Sequence, residues 1–414
     1  MDKNGALVGR TVLLLGASQD QLFAIRTARE NGLRTLVVDQ NPESPGFVLA
    51  DEYAVVSTRD VPALKALCDD SLKRGHRVEG LMVMGSDIPV VVAELAAYLG
   101  TPGIPVEAAR LASHKLLMKE RLAEAGVPIP WFAQIDDVEQ LSSVLREHGP
   151  RMVIKPVDRS GARGVYQISP HSDLDALLTA SREQSFSGDV MVEEFLDGPQ
   201  LSTETIMWRG KAHTVGYADR NYEMLDQFSP NIIENGGDVP SAITAEQKAA
   251  VNDLVERAAC ALGIENGVAK GDVVLTSEGP KLIEMAARLS GGDFSESLIP
   301  LGSGVNIVTA ALHIAMGVEP DIDALQPRWE RWVANRYFFP PAGVLQAVHG
   351  TELLEGISWL HKFEIWRNPG DVLPTITCHG ERFGVFLVSA DSREQLHERV
   401  RHIYETIRID VTPI

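Results

Sequence analysis

The chain has 414 residues, enough for two to four domains, and its 44% apolar and 23% charged content belongs to a globular protein with a sizeable core. A formal charge of −19 repels phosphate backbones, which argues against a nucleic-acid partner but leaves room for a small anion wherever the local field is reversed. Three cysteines, Cys68, Cys260 and Cys378, are odd in number and far apart, so neither a disulfide framework nor a metal spacing follows, as in a reducing cytosol.

The opening stretch MDKNGALVGRTVLLLGAS lacks the cleavage pattern of a secretory leader, and its apolar run reads as a first strand. From residue 11 to 100, strand-like and helix-like segments alternate. TVLLLGAS, RTLVVDQNP, YAVVST and GLMVMGSD are short apolar runs ending in turn residues, with helical spacing between them. This pattern predicts a parallel sheet with both faces covered, and ligands at its strand ends, near Gly16, Asp39 and Asp87. GASQDQ lacks the glycine spacing of a dinucleotide site. LMVMGSDIPVVVAELAAYLG contains Asp87 and Glu94 and is not a membrane span.

Pro102, Gly103 and Pro105 mark a boundary. A helix is predicted over SHKLLMKERLAEAG, with Ser113 as its N-cap and Gly126 as its stop. In RMVIKPVDRSGARGVYQI, an apolar strand ends at Lys155, and a glycine loop follows with Ser160, Gly161 and Gly164. A strand-end lysine beside free loop amides reads as a phosphate cradle, or as a hairpin with a solvated lysine. VMVEEFLDGPQLSTET carries Glu193, Glu194, Phe195 and Leu196 into a turn. It reads either as a hinge offering backbone groups and an apolar slot to a flat ring, or as a hairpin with an acidic rim.

VAKGDVVLTSEGPKLIEMAARLSGG reads as a hairpin turning at SEGP. Pairing about that turn puts Asp272 and Glu284 on adjacent strands. Two close carboxylates stay ionised at neutral pH only beside a cation, and hard oxygen ligands suit Mg²⁺. Arg288 is placed to reach a transferring phosphate, and Gly291 and Gly292 to let backbone approach a ligand. The alternative is a surface hairpin whose Glu284–Arg288 spacing makes an ordinary i,i+4 bridge. Past residue 318 the chain reads as strands, turns and one C-terminal helix.

In this order the motifs resemble the ATP-grasp superfamily, over roughly residues 10 to 320. SHKLLMKERLAEAGVPIP is similar to the opening of its central domain, with Lys115 in the role of first nucleotide-binding lysine. VIKP supplies Lys155 as the second. SGARGV resembles the flexible glycine loop, EEFLDGPQLSTE the adenine hinge, and GDVVLTSEGPKLIEMAARLSGG the metal hairpin, with Asp272 and Glu284 as ligands and Arg288 as the catalytic arginine.

The resemblance implies an α/β fold in three parts. Residues 1–112 would form an N-terminal parallel-sheet domain of the pre-ATP-grasp type, 113–318 an α+β ATP-grasp domain of two subdomains, and 319–414 a small α+β domain closing the cleft. It implies ATP and Mg²⁺, with Mn²⁺ as a substitute. The expected enzyme is a cytoplasmic carboxylate–amine ligase that forms an acyl phosphate and ADP, acts on amino-acid-like substrates, and is homodimeric without a membrane or nucleic-acid partner. The alternatives are a carboxylating or formylating relative of purine-biosynthesis type, and a nucleotide-binding regulator without turnover.

Two positions depart from the family pattern. The metal strand usually reads Glu-x-Asn, but here Ala286 follows Glu284 and Met285, so one metal ligand is missing. Gln200 stands where the hinge often carries an acid for the ribose. Glu204 is expected to support the sheet. His213, Arg220, Tyr222 and Phe228 are candidates to face the second substrate, and NPGDVLP resembles a segment that shuts the cleft.

Overall fold

The computed structural model describes residues 4–414. The first three residues, on which part of the reading of the chain's start rests, lie outside the described residues. Near the N-terminus the strands are β1 (Thr11–Leu15), β2 (Arg34–Asp39), β3 (Glu52–Val55) and β4 (Val78–Val83). They form a parallel sheet in the order β3-β2-β1-β4. Every residue of β1 is buried, as a run of five apolar or β-branched residues covered on both faces requires. The helices Leu22–Glu30, Val61–Lys73 and Pro89–Leu99 supply that cover.

The helix Lys115–Glu124 follows. His114, not Ser113, is its N-cap, and its ring nitrogen accepts from the Leu117 amide at 3.4 Å. Ser113 instead ends the preceding helix, Val106–Ser113, and its hydroxyl bonds back to the carbonyl of Ala109. The break between the two helices falls one residue later than the hydroxyl suggested. Gly126 does end the second helix, at φ +66°.

Next come β5 (Phe132–Ile135), β6 (Met152–Pro156), β7 (Tyr166–Ile168) and β8 (Val190–Glu194), an antiparallel sheet in the order β5-β8-β6-β7. They are followed by β9 (Gln200–Trp208), β10 (Lys211–Arg220), β11 (Gly237–Val239), β12 (Gly267–Thr276) and β13 (Gly279–Ala286). The last strands are β14 (Trp332–Tyr337), β15 (Gly343–His349), β16 (Leu360–Ile365), β17 (Val372–Leu373), β18 (Gly384–Ala390) and β19 (Arg408–Thr412).

An eight-stranded antiparallel sheet, β13-β12-β9-β10-β11-β14-β18-β16, runs without a break from the metal-hairpin sequence into the C-terminal region. The C-terminal strands therefore extend the central sheet. Only β17-β15-β19 form a separate three-stranded sheet, and β17 is the NPGDVLP segment. Two covers matter for the site. The helix Ala245–Ala261, opened by a Thr244–Gln247 capping box, packs over β12 and β13. The apolar helix Ile307–Ala315 packs beneath β4 and β9, joining the N-terminal sheet to the central one.

Candidate functional site

Strand β6 ends at Lys155–Pro156 and delivers the chain to the glycine loop, where Gly161, Ala162 and Gly164 all have positive φ. Across from it, β12 and β13 pair in a register that sets Asp272 opposite Glu284. The helix Lys115–Glu124 lies between, its first amide bonded to the Val157 carbonyl at 2.7 Å. The Lys115 ammonium reaches the Arg159 carbonyl at 2.8 Å on one side and the Glu284 carboxylate at 3.2 Å on the other. Both lysines and the end of the hairpin thus meet at the foot of the glycine loop.

Lys155 is buried and bonds Glu193. A residue that sequence reasoning missed, Lys119, joins them, with its ammonium 3.0 Å from Glu193. The signal was present, since Lys119 is four residues from Lys115 and so on the same helical face. Burial pushes the Lys119 ammonium down to about 8, against the pull of Glu193. Burial works to raise the Glu193 carboxyl, but Lys119 and Lys155 hold it below its ordinary value. Lys115, Lys119 and Lys155 together share the carboxylates of Glu193 and Glu284, which leaves positive charge in a largely desolvated place.

Within the hinge segment the Glu193 carboxylate turns to the lysines. The amides of Glu194 and Phe195 bond the carbonyls of Trp131 and Arg151 at 2.8 and 3.3 Å, and the Arg151 guanidinium covers the Phe195 ring at 4.1 Å. Leu196 is half-buried beside them.

The two hairpin carboxylates make their direct ion pairs with different cations. Glu284 faces Lys115. Burial raises its proton affinity, but Lys115, Lys155 and Lys270 outweigh this and hold the carboxyl far below the ordinary range. Asp272 is buried, with Lys270 at 2.5 and 2.6 Å, Arg220 at 3.0 Å and the Ser202 hydroxyl at 2.7 Å. No group of three or more His, Cys, Asp or Glu able to hold a metal occurs among the described residues. Glu284, about a third exposed and facing the lysines, fits a metal as a single carboxylate ligand, with phosphate oxygens and water as the usual remaining ligands of Mg²⁺. Asp272, with its oxygens already engaged, does not fit that role as it stands.

Arg288 leaves the hairpin and bonds Asp87 at 2.6 Å, so the i,i+4 bridge to Glu284 of the alternative reading is absent from its contacts. Asp87, from the strand-end loop after β4, also takes a hydrogen bond from Ser160 in the glycine loop. Burial raises its proton affinity, yet the charge of Arg288 and these two hydrogen bonds hold it ionised below its ordinary value. One carboxylate thereby ties the N-terminal sheet, the glycine loop and the arginine together. Gly291 has a different use from the expected approach to a ligand: a Cβ there would lie 2.9 Å from the Gly85 Cα, and the Gly85 amide bonds the Leu289 carbonyl. The glycine lets two backbones meet at the junction of the two sheets. Gly292, at φ +63°, lies beside the Tyr337 hydroxyl. Glu204 supports the same segment, taking hydrogen bonds from the Ser290 amide at 3.0 Å and the Ser295 hydroxyl at 2.9 Å.

Of the candidates for the second substrate, Arg220 and Tyr222 lie at the site. Arg220 bridges Asp272 and Glu234, with its guanidinium 5.4 Å from the Tyr222 ring. Burial raises the Glu234 carboxyl, but Arg220, Arg382 and His379 bring it down to about 2. Phe228 packs on Phe339 at 5.2 Å. His213 sits apart, near Glu256 of the covering helix. The C-terminal segment that reaches the glycine loop is not NPGDVLP but the stretch after it, where the His379 amide bonds the Gly161 carbonyl at 3.1 Å. At the strand ends of the N-terminal sheet, a polar cavity of about 220 Å³ is lined by Gly16, Ser18, Gln21, Asp39, Arg59 and Ser86. That is where the switch in strand order places ligands.

Comparison with known proteins bears on this arrangement. Residues 112–292 match the ATP-grasp domain, and residues 336–412 match the L-amino acid ligase C-terminal domain 2. The protein y4rH of Sinorhizobium fredii is 23% identical over 397 residues, covering 94% of this chain and 80% of that protein. Carnosine synthase 1 of Gallus gallus is 24% identical over 347 residues, covering 75% of this chain and 36% of its own length, so the chain spans about a third of that relative. The crystal structure of L-amino acid ligase from Bacillus licheniformis superposes with a TM-score of 0.82 at 20% identity, covering 98% of this chain and 99% of that one, and so has the same fold.

Proposed function

We propose that the chain, in which residues 112–292 match the ATP-grasp domain and residues 336–412 the L-amino acid ligase C-terminal domain 2, is an ADP-forming enzyme that joins a carboxylate to an amine, and that both of its substrates are amino acids or similarly small molecules. The observation that carries the reading is the set of three lysines sharing two carboxylates at the foot of a glycine loop, with the half-buried Arg288 beside it. Desolvated positive charge of this kind favours an anion, and lysines beside the amides of a glycine loop suit the oxygens of a polyphosphate.

In the proposed mechanism, Lys115 and Lys155 hold the phosphates, and the amides of Ser160, Gly161 and Gly164 cover them. Glu193 orients Lys155 and Lys119, while Glu194, Phe195 and Leu196 border the base. Glu284 would hold Mg²⁺, or Mn²⁺ in its place, and the ion would supply charge that offsets the crowded phosphate oxygens. The γ-phosphoryl passes to a carboxylate oxygen of the first substrate, giving an acyl phosphate and ADP. Arg288, aimed by Asp87, stabilises the charge on the acyl phosphate and on the tetrahedral species formed when the amine attacks. Phosphate then leaves. The loop contact between His379 and Gly161 helps to exclude water, which would otherwise hydrolyse the intermediate.

Residues 1–112, 113–318 and 319–414 are proposed as the N-terminal, ATP-grasp and closing units, and a homodimer in a reducing cytosol as the working state. The free cysteines are in keeping with that compartment, and no helix among the described residues is long and apolar enough to cross a membrane.

Hydroxylamine trapping tests the reading. With ATP and Mg²⁺, a panel of amino acids gives acyl hydroxamates and stoichiometric ADP if carboxylates are activated. ADP formed only with bicarbonate or formate favours the carboxylating or formylating alternative. Tight ATP binding with no ADP under any condition favours the regulator.

A further inference from the structure

Ala286 is the position at which the family's Glu-x-Asn pattern would supply a second side-chain donor, and here it offers a methyl group. In the hairpin register the residue opposite Ala286 is Lys270. Strand alternation puts Lys270 on the same face as Asp272, two residues on. Its side chain is largely buried, and its ammonium lies 2.5 and 2.6 Å from the two oxygens of Asp272. The remaining contacts of that carboxylate are the Ser202 hydroxyl on Oδ1 and the Arg220 guanidinium on Oδ2. A carboxylate has about four acceptor sites, and these contacts engage all of them. Any divalent ion brought to Asp272 would have to displace an ammonium and a guanidinium, or sit against both.

We infer that Lys270 takes the charge position that a second divalent cation occupies in two-metal phosphoryl-transfer sites, so that this chain works with one metal ion, on Glu284. The inference rests on the ATP-dependent reading of the site. It also accounts for two departures together: the missing donor at position 286 and the cationic partners of Asp272. Lys270 is a positioning residue here. It supplies fixed charge beside the phosphates, and Arg220, anchored by Glu234, holds the other side of Asp272 in place. A protein ammonium does not dissociate, so this half of the charge neutralisation would not depend on the free metal concentration.

The test counts Mn²⁺ by electron paramagnetic resonance on the full chain saturated with the β,γ-imido analogue of ATP, with nucleotide binding followed by calorimetry. The expected result is one tightly bound Mn²⁺ per chain in the wild type and in K270R. In the double variant K270M/A286N, which removes the ammonium and restores the donor, the count rises to two. Two tightly bound ions in the wild type overturn the inference, whatever the variants do. A folded, nucleotide-binding K270M/A286N that still holds one ion also overturns it. Either result leaves the ligase reading standing as long as the nucleotide binds. Failure of the wild type to bind the nucleotide at all sinks the ligase reading and this inference with it.

Discussion

Asp87 makes no contact with a reacting group in the proposed mechanism, yet it aims the one arginine that does. Its Oδ1 takes the Arg288 Nε at 2.6 Å, with the two side chains 35% and 15% exposed. A hydrogen bond to a charged group is worth about 1.5–3 kcal/mol, and the partial exposure of Asp87 places this one near the lower end, at about 2 kcal/mol. At 1.36 kcal/mol per decade, Asp87→Ala lowers kcat/KM about thirtyfold. Asp87→Asn keeps an acceptor but loses the charge, and costs roughly half as much in free energy, about fivefold. The assay is hydroxamate formation under saturating ATP, with ATP affinity measured separately by calorimetry. Affinity is expected to change little, because Arg288 works on the transferring group. Unchanged turnover in Asp87→Ala would refute the aiming role. A fall in ATP affinity as large as the fall in turnover would mean that the aspartate acts through the nucleotide instead.

Arg288→Ala is expected to cut the rate of acyl-phosphate formation by about 10²–10³, the effect of losing one oxyanion donor, with ATP binding largely kept; single-turnover ADP formation checks this. Lys155→Ala should chiefly weaken ATP binding, by about one to two decades, because a phosphate contact is lost and Glu193 keeps only Lys119; calorimetry reads it, and unchanged affinity counts against the cradle. Glu234 carries a pH prediction. Its carboxyl is brought from 4.5 to about 2 in the folded chain, so between those values the unfolded chain binds more protons. Its contribution to stability, of order 3 kcal/mol, is present above pH 4.5 and is lost as pH falls toward 2. Glu234→Gln should flatten the acid side of a denaturation profile over that window, and an unaltered profile would remove the carboxylate from the account of acid stability.

What could be read from the sequence follows how local its causes are. The N-terminal parallel sheet was legible because runs such as TVLLL are apolar on both faces. The pairing of Asp272 with Glu284 was legible because a tight turn fixes the register. The N-cap of the central helix was misplaced by one residue, because a serine hydroxyl is the stronger local signal and a histidine ring took the position. The cation partners of Asp272 were out of reach, since Ser202 and Arg220 come from β9 and β10, and nothing in the hairpin's own sequence names them. The role of Gly291 depended in the same way on a backbone two hundred residues earlier. The joining of the C-terminal strands to the central sheet has no local signature either, because edge pairing is settled by what the neighbouring strand leaves open.

One measurement reaches the central claim most directly: a crystal structure of the chain with Mg²⁺ and the β,γ-imido analogue of ATP. The expected density puts the triphosphate between Lys115, Lys155 and the Gly161–Gly164 loop, with the ion on Glu284 and the Arg288 guanidinium facing the γ-phosphate. A nucleotide bound elsewhere, with the lysines still closed on Glu193 and Glu284, would contradict it.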